Sequence, residues 1–276
     1  MSDKLRPLRW AVLGFFAFLL NFPVIATLAT SFKTPRELVS NAGLFVREPT
    51  LTNYGAVLQV SDRLNIYEYL TNSLIIAAIG AILPLILCFP MAYTMARRGY
   101  GRAVLLPVVI NLRTLPLIIF AIPIYMMYQT LGLLDTRLGL GLILAIVNIP
   151  LTLIILVNAV DDIPIQLEEA ADIDGARLTD VLFRVVLPLC RPALATTFIF
   201  GFITAWNEFL FGLMLTTQHA VPVTVGASFF FAAGGGGVQW GVAAAVIIVA
   251  SLPPVVLGTV MYRQITRSLL AGAVKG

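Results

Sequence analysis

The chain has 276 residues, 59% of them hydrophobic and only 12% charged, with a formal net charge of +4 and a mean hydropathy of +0.94. Soluble domains are about a quarter charged, so the composition excludes an ordinary soluble enzyme or nucleic-acid-binding domain and points to a membrane protein. Two cysteines, Cys88 and Cys190, and a single His219 supply neither a disulfide framework nor a metal-ligand pattern.

Six segments can cross a bilayer: about 10–31, 70–92, 104–127, 139–158, 193–216 and 240–262. Each is near the ~20 residues that ~30 Å of hydrocarbon requires. Lys4, Arg6 and Arg9 precede the first. That run is too long for a signal core and lacks a small-x-small cleavage site, so a retained helix is expected. The first outer loop, roughly 32–69, holds Pro49, Asn53 and mixed charges and is expected to lie extended over the outer face. The second span leads into Ala96-Arg97-Arg98, a positive inner anchor. The third contains Pro107, Pro116 and Pro123, which kink a span and free carbonyls that neighbours must satisfy. The fourth opens on Gly139 and Gly141, both weak helix formers. The last outer loop, near 217–239, ends in Gly234 to Gly237, a flexible hinge or tip. No soluble domain and no clear repeat is visible, so 1–276 reads as one transmembrane domain.

Orientation follows from Lys and Arg. The N-terminus, the second loop (Arg97, Arg98, Arg102), the fourth loop (Arg177, Arg184, Arg191) and the tail (Arg263, Arg267, Lys275) each carry three. The opposite loops share Lys33, Arg36, Arg47, Arg63 and Arg137. Both termini and the fourth loop are therefore expected in the cytoplasm.

The fourth loop, 161–192, stands apart. It holds Asp161, Asp162, Glu168, Glu169, Asp172, Asp174 and Asp180, half of the chain's 14 acids, between two apolar spans. Its residues predict two short helices and a turn. Pro164 suits a first helical turn, and acids there favour the dipole. Gly175 fits the left-handed position that ends a helix. Leu167, Ala170, Ala171 and Asp174 fall on one face, small in its middle, which permits close approach of another surface. Thr179 is placed to cap a second helix from Asp180 to Leu187, Pro188 to stop it and Pro192 to start the next span.

Glu169-Ala170-Ala171, Gly175 and Val185-x-Leu187-Pro188 resemble the EAA loop of ABC importer membrane subunits, written E-A-A-x3-G-x9-I-x-L-P, with Val185 replacing Ile as the sole departure. The likeness continues through Asn53-Tyr54, Asn72-Ser73-Leu74, Pro123-Ile124-Tyr125, Leu131-Gly132-Leu133, Ile163-Pro164, Trp206-Asn207-Glu208-Phe209 and Gly272-Ala273-Val274-Lys275-Gly276. These stretches are similar to the carbohydrate-uptake branch, above all to the second membrane subunit of maltose-type importers. The resemblance implies an all-α membrane protein of the type I ABC importer permease fold, with six transmembrane helices, both termini cytoplasmic and a cytoplasmic coupling helix. It also implies a second, non-identical permease subunit, two ATPase subunits, an extracytoplasmic substrate-binding protein, and a bacterial or archaeal cytoplasmic membrane. On this basis Glu168, Glu169, Ala170, Ala171, Asp174, Gly175, Leu187 and Pro188 are the candidate ATPase-coupling residues. Glu169 is singled out to take a charge-assisted bond from an arginine of the ATPase. Gly272, Ala273, Val274, Lys275 and Gly276 are candidates for a tail contact with the ATPase pair.

The chain has no G-x4-G-K-[ST] phosphate loop, so ATP and Mg are expected on partner subunits, with no cofactor on this chain. Arg113 and Glu208 lie within spans, where charges are expensive and face the interior. With Trp206 and Asn207 they either line the passage or hold helices and subunits together. A direct Arg113–Glu208 pair is not expected. An ion-coupled secondary carrier needs more ionisable groups at mid-membrane than these two, and leaves the acidic loop unexplained. An intramembrane enzyme lacks both H-E-x-x-H and G-x-S-x-G.

Overall fold

The computed structural model describes the backbone of residues 6–41, 43–61, 64–231 and 238–273, and side chains within those stretches from 9 to 261. The described chain is helical, with one isolated bridge, Ser61–Leu64, as its β pairing. The helices are α1 (Arg6–Ser31), α2 (Pro35–Ser40), α3 (Thr52–Leu58), α4 (Ile66–Arg98), α5 (Leu105–Leu112), α6 (Ile118–Leu131) and α7 (Arg137–Asp161). After them come α8 (Gln166–Ile173), α9 (Leu178–Leu189), α10 (Arg191–Trp206), α11 (Leu210–Leu215), α12 (Val223–Phe231) and α13 (Trp240–Ala273). Four have the length and apolarity to cross a membrane, and α9 with α10 forms a further pair bent by 72°.

Four apolar runs become helices longer than expected, because helical backbone continues beyond the hydrocarbon-length core. Two runs are interrupted instead. The expected third span divides into α5 and α6 at the break 113–117, which contains Pro116. The fifth divides after Trp206, where α10 gives way to α11. The start of the fourth span is secure despite its glycines. Thr136 caps α7 through its hydroxyl, which accepts the Gly139 N–H at 3.0 Å. A Cβ on Gly141 would lie 2.7 Å from Ile79, so this position is open to glycine alone without a shift of α4.

The chain forms two compact units, Met1–Glu68 with Gly226–Leu252, and Tyr69–Val225 with Pro253–Gly276. In the first, the outer loop expected to be extended is instead folded on itself. Buried Lys33 donates to the backbone carbonyls of Asn41, at 2.8 Å, and Gly43. Buried Glu37 accepts the N–H groups of Arg47 at 2.7 Å and Glu48 at 3.2 Å. Asn53 donates to the carbonyls of Ser31 and Lys33, both at 2.9 Å. Each charge is buried only because backbone groups satisfy it. The apolar side chains of α1, among them Phe15 and Phe16, are open.

In the second unit α4, α7 and α10 pack through small residues. Gly80 of α4 would bring a Cβ within 3.0 Å of Ala205 on α10. Buried Asn148 of α7 donates to the carbonyls of Gly80 at 2.9 Å and Gly201 at 3.0 Å, joining all three helices. Where water is absent, such an amide must find protein partners. Toward the other end of α4 and α7, Cys88, Phe89, Ala92, Met95, Leu153, Leu156 and Val160 enclose a core with Val181, Val186 and Cys190 of the 161–192 segment. That core carries the acidic loop. Gly234 to Gly237 lie outside the described residues, and the loop before them contains α12.

Candidate functional site

The acidic loop starts as α7 ends at Asp161. Ile163 is buried, and Pro164 stands two residues before α8 rather than inside its first turn. The helix ends as its glycine predicts. Gly175 has φ of 81°, its N–H meets the Asp172 carbonyl at 3.0 Å, and the Ala176 N–H meets the Ala171 carbonyl at 3.0 Å. This pair of bonds is the Schellman arrangement that satisfies the last carbonyls.

The second helix differs from expectation. It starts at Leu178, behind Arg177, so Thr179 lies inside it and makes no cap. It also runs through Pro188 to Leu189. A π turn, Val181–Val186, precedes the proline. The wider turn takes up a residue that brings no N–H to the ladder. The chain then bends at Cys190, and Pro192 falls in the first turn of α10 as expected.

The expected docking residues divide between two faces. Leu167, Glu169, Ala170 and Asp174 are exposed, joined by Asp172 and by Ile173, which is 86% exposed. Glu168 and Ala171 point inward. Glu168 is 4% exposed, and Ala171 packs on the core with Leu187. Ala171 therefore leaves the face it was expected to share, because residues 168 and 171, three apart, form the inner side of α8. Pro188 is half-buried. The outward surface is small, acidic and edged by two bulky apolar side chains.

Three side chains hold it in place. Arg97 of α4 lies 2.7 Å from Glu168 and donates to the Ile163 carbonyl at 2.9 Å. The Tyr93 hydroxyl donates to Glu168 at 2.9 Å. Arg102 forks onto Asp161 at 2.9 and 2.7 Å. Sequence reasoning took Arg97 as a topology anchor and missed its partner and Tyr93; the positive charge was the only signal.

The charges within spans are kept apart. Glu208 sits at the break before α11, where its carboxylate accepts the N–H groups of Phe211 at 3.0 Å and Gly212 at 3.2 Å. The Thr224 hydroxyl holds its backbone carbonyl at 2.8 Å. Trp206 is buried and stacks on Phe202 with centroids 5.7 Å apart. Exposed Asn207 returns its amide to the Ile203 carbonyl at 2.9 Å. Exposed Arg113 ends α5 and forms no ion pair among the described residues. Glu208, Trp206 and Asn207 thus each have partners within residues 202–224. Gly272 and Ala273 close α13, while Val274, Lys275 and Gly276 lie outside the described residues. Among the described residues no cluster of His, Cys, Asp and Glu could hold a metal.

An additional site was not foreseen. On Asp135, between α6 and α7, the carboxylate accepts the N–H groups of Thr217, Gln218, His219 and Ala220. Buried Asn72 of α4 donates to the carbonyls of His219 and Val221 and accepts from Arg137, while Ser73 accepts the Val223 N–H at 2.7 Å. These bonds pin the 217–223 turn to α4 and to the start of α7.

Residues 86–270 match the family described as "Binding-protein-dependent transport system inner membrane component". The sulfoquinovosyl glycerol transport system permease SmoH of Agrobacterium fabrum is 32% identical over 98% of this chain and 94% of its own. The trehalose/maltose permease MalG of Thermococcus litoralis is 32% identical over 94% and 93%. A solved bacterial ABC transporter that imports the acidic polysaccharide alginate shares the fold, with TM-score 0.78 and 24% identity over 95% of this chain and 98% of that one. An all-helical chain with long apolar helices, carrying an acidic loop with the EAA spacing, belongs to the family of binding-protein-dependent transport system inner membrane components.

Proposed function

We propose that the chain is one of two non-identical permease subunits of an ATP-driven importer for a sugar or sugar-like solute, in a bacterial or archaeal cytoplasmic membrane. The observation that carries this reading is the exposed face of α8, with Glu169, Ala170 and Asp174 outward on a segment whose inner side is anchored to α4 and α7. Six spans are read by taking α5 with α6 and α10 with α11 as interrupted spans, with both termini cytoplasmic. One of two ATPase subunits docks on the α8 face, the ATPase pair binds ATP and Mg, and a substrate-binding protein delivers solute from outside. The tail, 272–276, reaches toward the ATPase pair. ATP-driven closure of that pair displaces α8, and the spans alternate access. This chain performs no covalent chemistry.

The test is ATP-dependent uptake by the chain co-expressed with its neighbouring operon products in liposomes, using trehalose, maltose, sulfoquinovosyl glycerol and alginate oligosaccharide as probes. One of these is expected to enter only with ATP inside. Glu169→Ala is expected to lower uptake about tenfold or more, as loss of a charge-assisted docking contact predicts. Uptake by the chain alone under an ion gradient, with no ATPase present, would replace the importer reading with a secondary carrier.

A further inference from the structure

Adjacent carboxylates on α8 point in opposite directions. Glu169 is exposed, while Glu168 is turned into the chain at 4% exposure. Glu168 Oε1 accepts from Arg97 Nε at 2.7 Å and lies 2.7 Å from Nη2, and its Oε2 accepts the Tyr93 hydroxyl at 2.9 Å. The same guanidinium donates to the carbonyl of Ile163, on the connection from α7. Tyr93 and Arg97 are one turn apart near the end of α4, so both reach α8 from one face. The buried Glu168–Arg97 pair thus ties α8, α4 and the connection from α7 together.

The burial matters mechanically. An exposed ion pair is exchanged for water at little cost, and Arg102–Asp161, with side chains 46% and 30% exposed, is of that kind. Pulling Glu168 away from Arg97 strands two charges in a poorly solvated place, which is far more costly. The carboxylate accepts a hydrogen bond on each oxygen, from Arg97 and from Tyr93, and a satisfied network of this kind holds one geometry. At its opposite end α4 carries Asn72 and Ser73, which hold the 219–223 turn. The helix between them is 33 residues long, about 50 Å at ~1.5 Å per residue.

We infer that Glu168, Arg97 and Tyr93 form a latch that makes α8 and the cytoplasmic end of α4 move as one body, so that force arriving on the Glu169 face is delivered to α4. Glu168 is a positioning residue, distinct in role from its exposed neighbour. The inference rests on the importer reading.

The experiment uses the complex with its ATPase subunits in nanodiscs, with Cys88 and Cys190 replaced by Ala. Nitroxide labels are placed at Arg98→Cys and Gln166→Cys, both exposed positions. Distance distributions are compared without nucleotide and with ATP and vanadate. With the latch intact, one narrow distribution is expected, unchanged by nucleotide. In Glu168→Gln the ATPase subunits still co-purify, but a second population appears when ATP is added. Tyr93→Phe, which removes one donor and keeps the ion pair, gives a smaller effect in the same direction. Exchanging the charges in Arg97→Glu with Glu168→Arg restores part of the narrow distribution, which a purely local packing role would not. Three results overturn the latch: a nucleotide-dependent shift in the unmutated complex, loss of the ATPase subunits from Glu168→Gln, or an unchanged Tyr93→Phe distribution. The last decides alone if Glu168→Gln is not recovered. If no ATPase co-purifies with the unmutated chain, the importer reading itself fails.

Discussion

Replacing Asp135 by Asn is expected to speed opening of the outer turn at 217–220 by about fivefold at neutral pH, equivalent to ~1 kcal/mol. The carboxylate accepts four consecutive N–H groups at 3.0–3.2 Å and the Thr217 hydroxyl at 3.1 Å. Burial pushes its pKa up, but the N–H groups of His219, Thr217, Ala220 and Gln218 outweigh that and hold it at about 2. Against the ordinary 3.8 the depression corresponds to ~2.4 kcal/mol, at ~1.36 kcal/mol per unit. The side chain is only partly buried, so screening by water reduces the usable part to ~1 kcal/mol. A depressed pKa stabilises the charged, folded form. The contribution is therefore complete above about pH 4 and is lost as pH falls toward about 2. Asn keeps the side-chain shape and tolerates the φ of 53° that residue 135 adopts, so the variant removes charge with little added strain. The assay is amide hydrogen exchange at 217–220 in detergent, corrected for intrinsic rates. The gap between the unmutated chain and the Asp135→Asn variant should narrow between about pH 4 and pH 2. A gap that stays constant over that interval would refute the electrostatic account.

Asn148→Leu removes two interhelical hydrogen bonds at nearly constant shape and is expected to destabilise the chain by ~1–2 kcal/mol in detergent unfolding, at ~0.6 kcal/mol or more per bond. Gly175→Ala meets no neighbouring atom but must keep φ of 81°, so a loss of about 1 kcal/mol is expected by the same assay. A loss of that size with no change in ATPase co-purification would separate turn strain from docking.

Four of the six expected spans and the acidic loop were legible because lipid leaves few alternatives. A long apolar run must become helix, and a charge-dense segment between two such runs must lie in water. Gly175 was legible because its conformation is one that other residues avoid. The direction of Glu168 was not. Two adjacent glutamates on an eight-residue helix give no usable period, and the groups that decide between them, Arg97 and Tyr93, are 71 and 75 residues away in the chain. Pro188 misled for a related reason, since its local meaning is a stop and only the π turn before it removes the conflict. The Lys33–Glu37 region read as extended because its satisfaction comes from backbone groups, which carry no residue-type signal.

Asn148 also limits how this chain can move. Its buried amide spends both donors on carbonyls of two other helices. Sliding α4 or α10 past α7 by even one residue would leave a donor and a carbonyl unmatched at once. These three helices therefore have no internal gear. A movement that keeps both bonds swings the three helices together and takes its give from joints elsewhere, such as the breaks at 113–117 and 207–209 or the bend at Cys190.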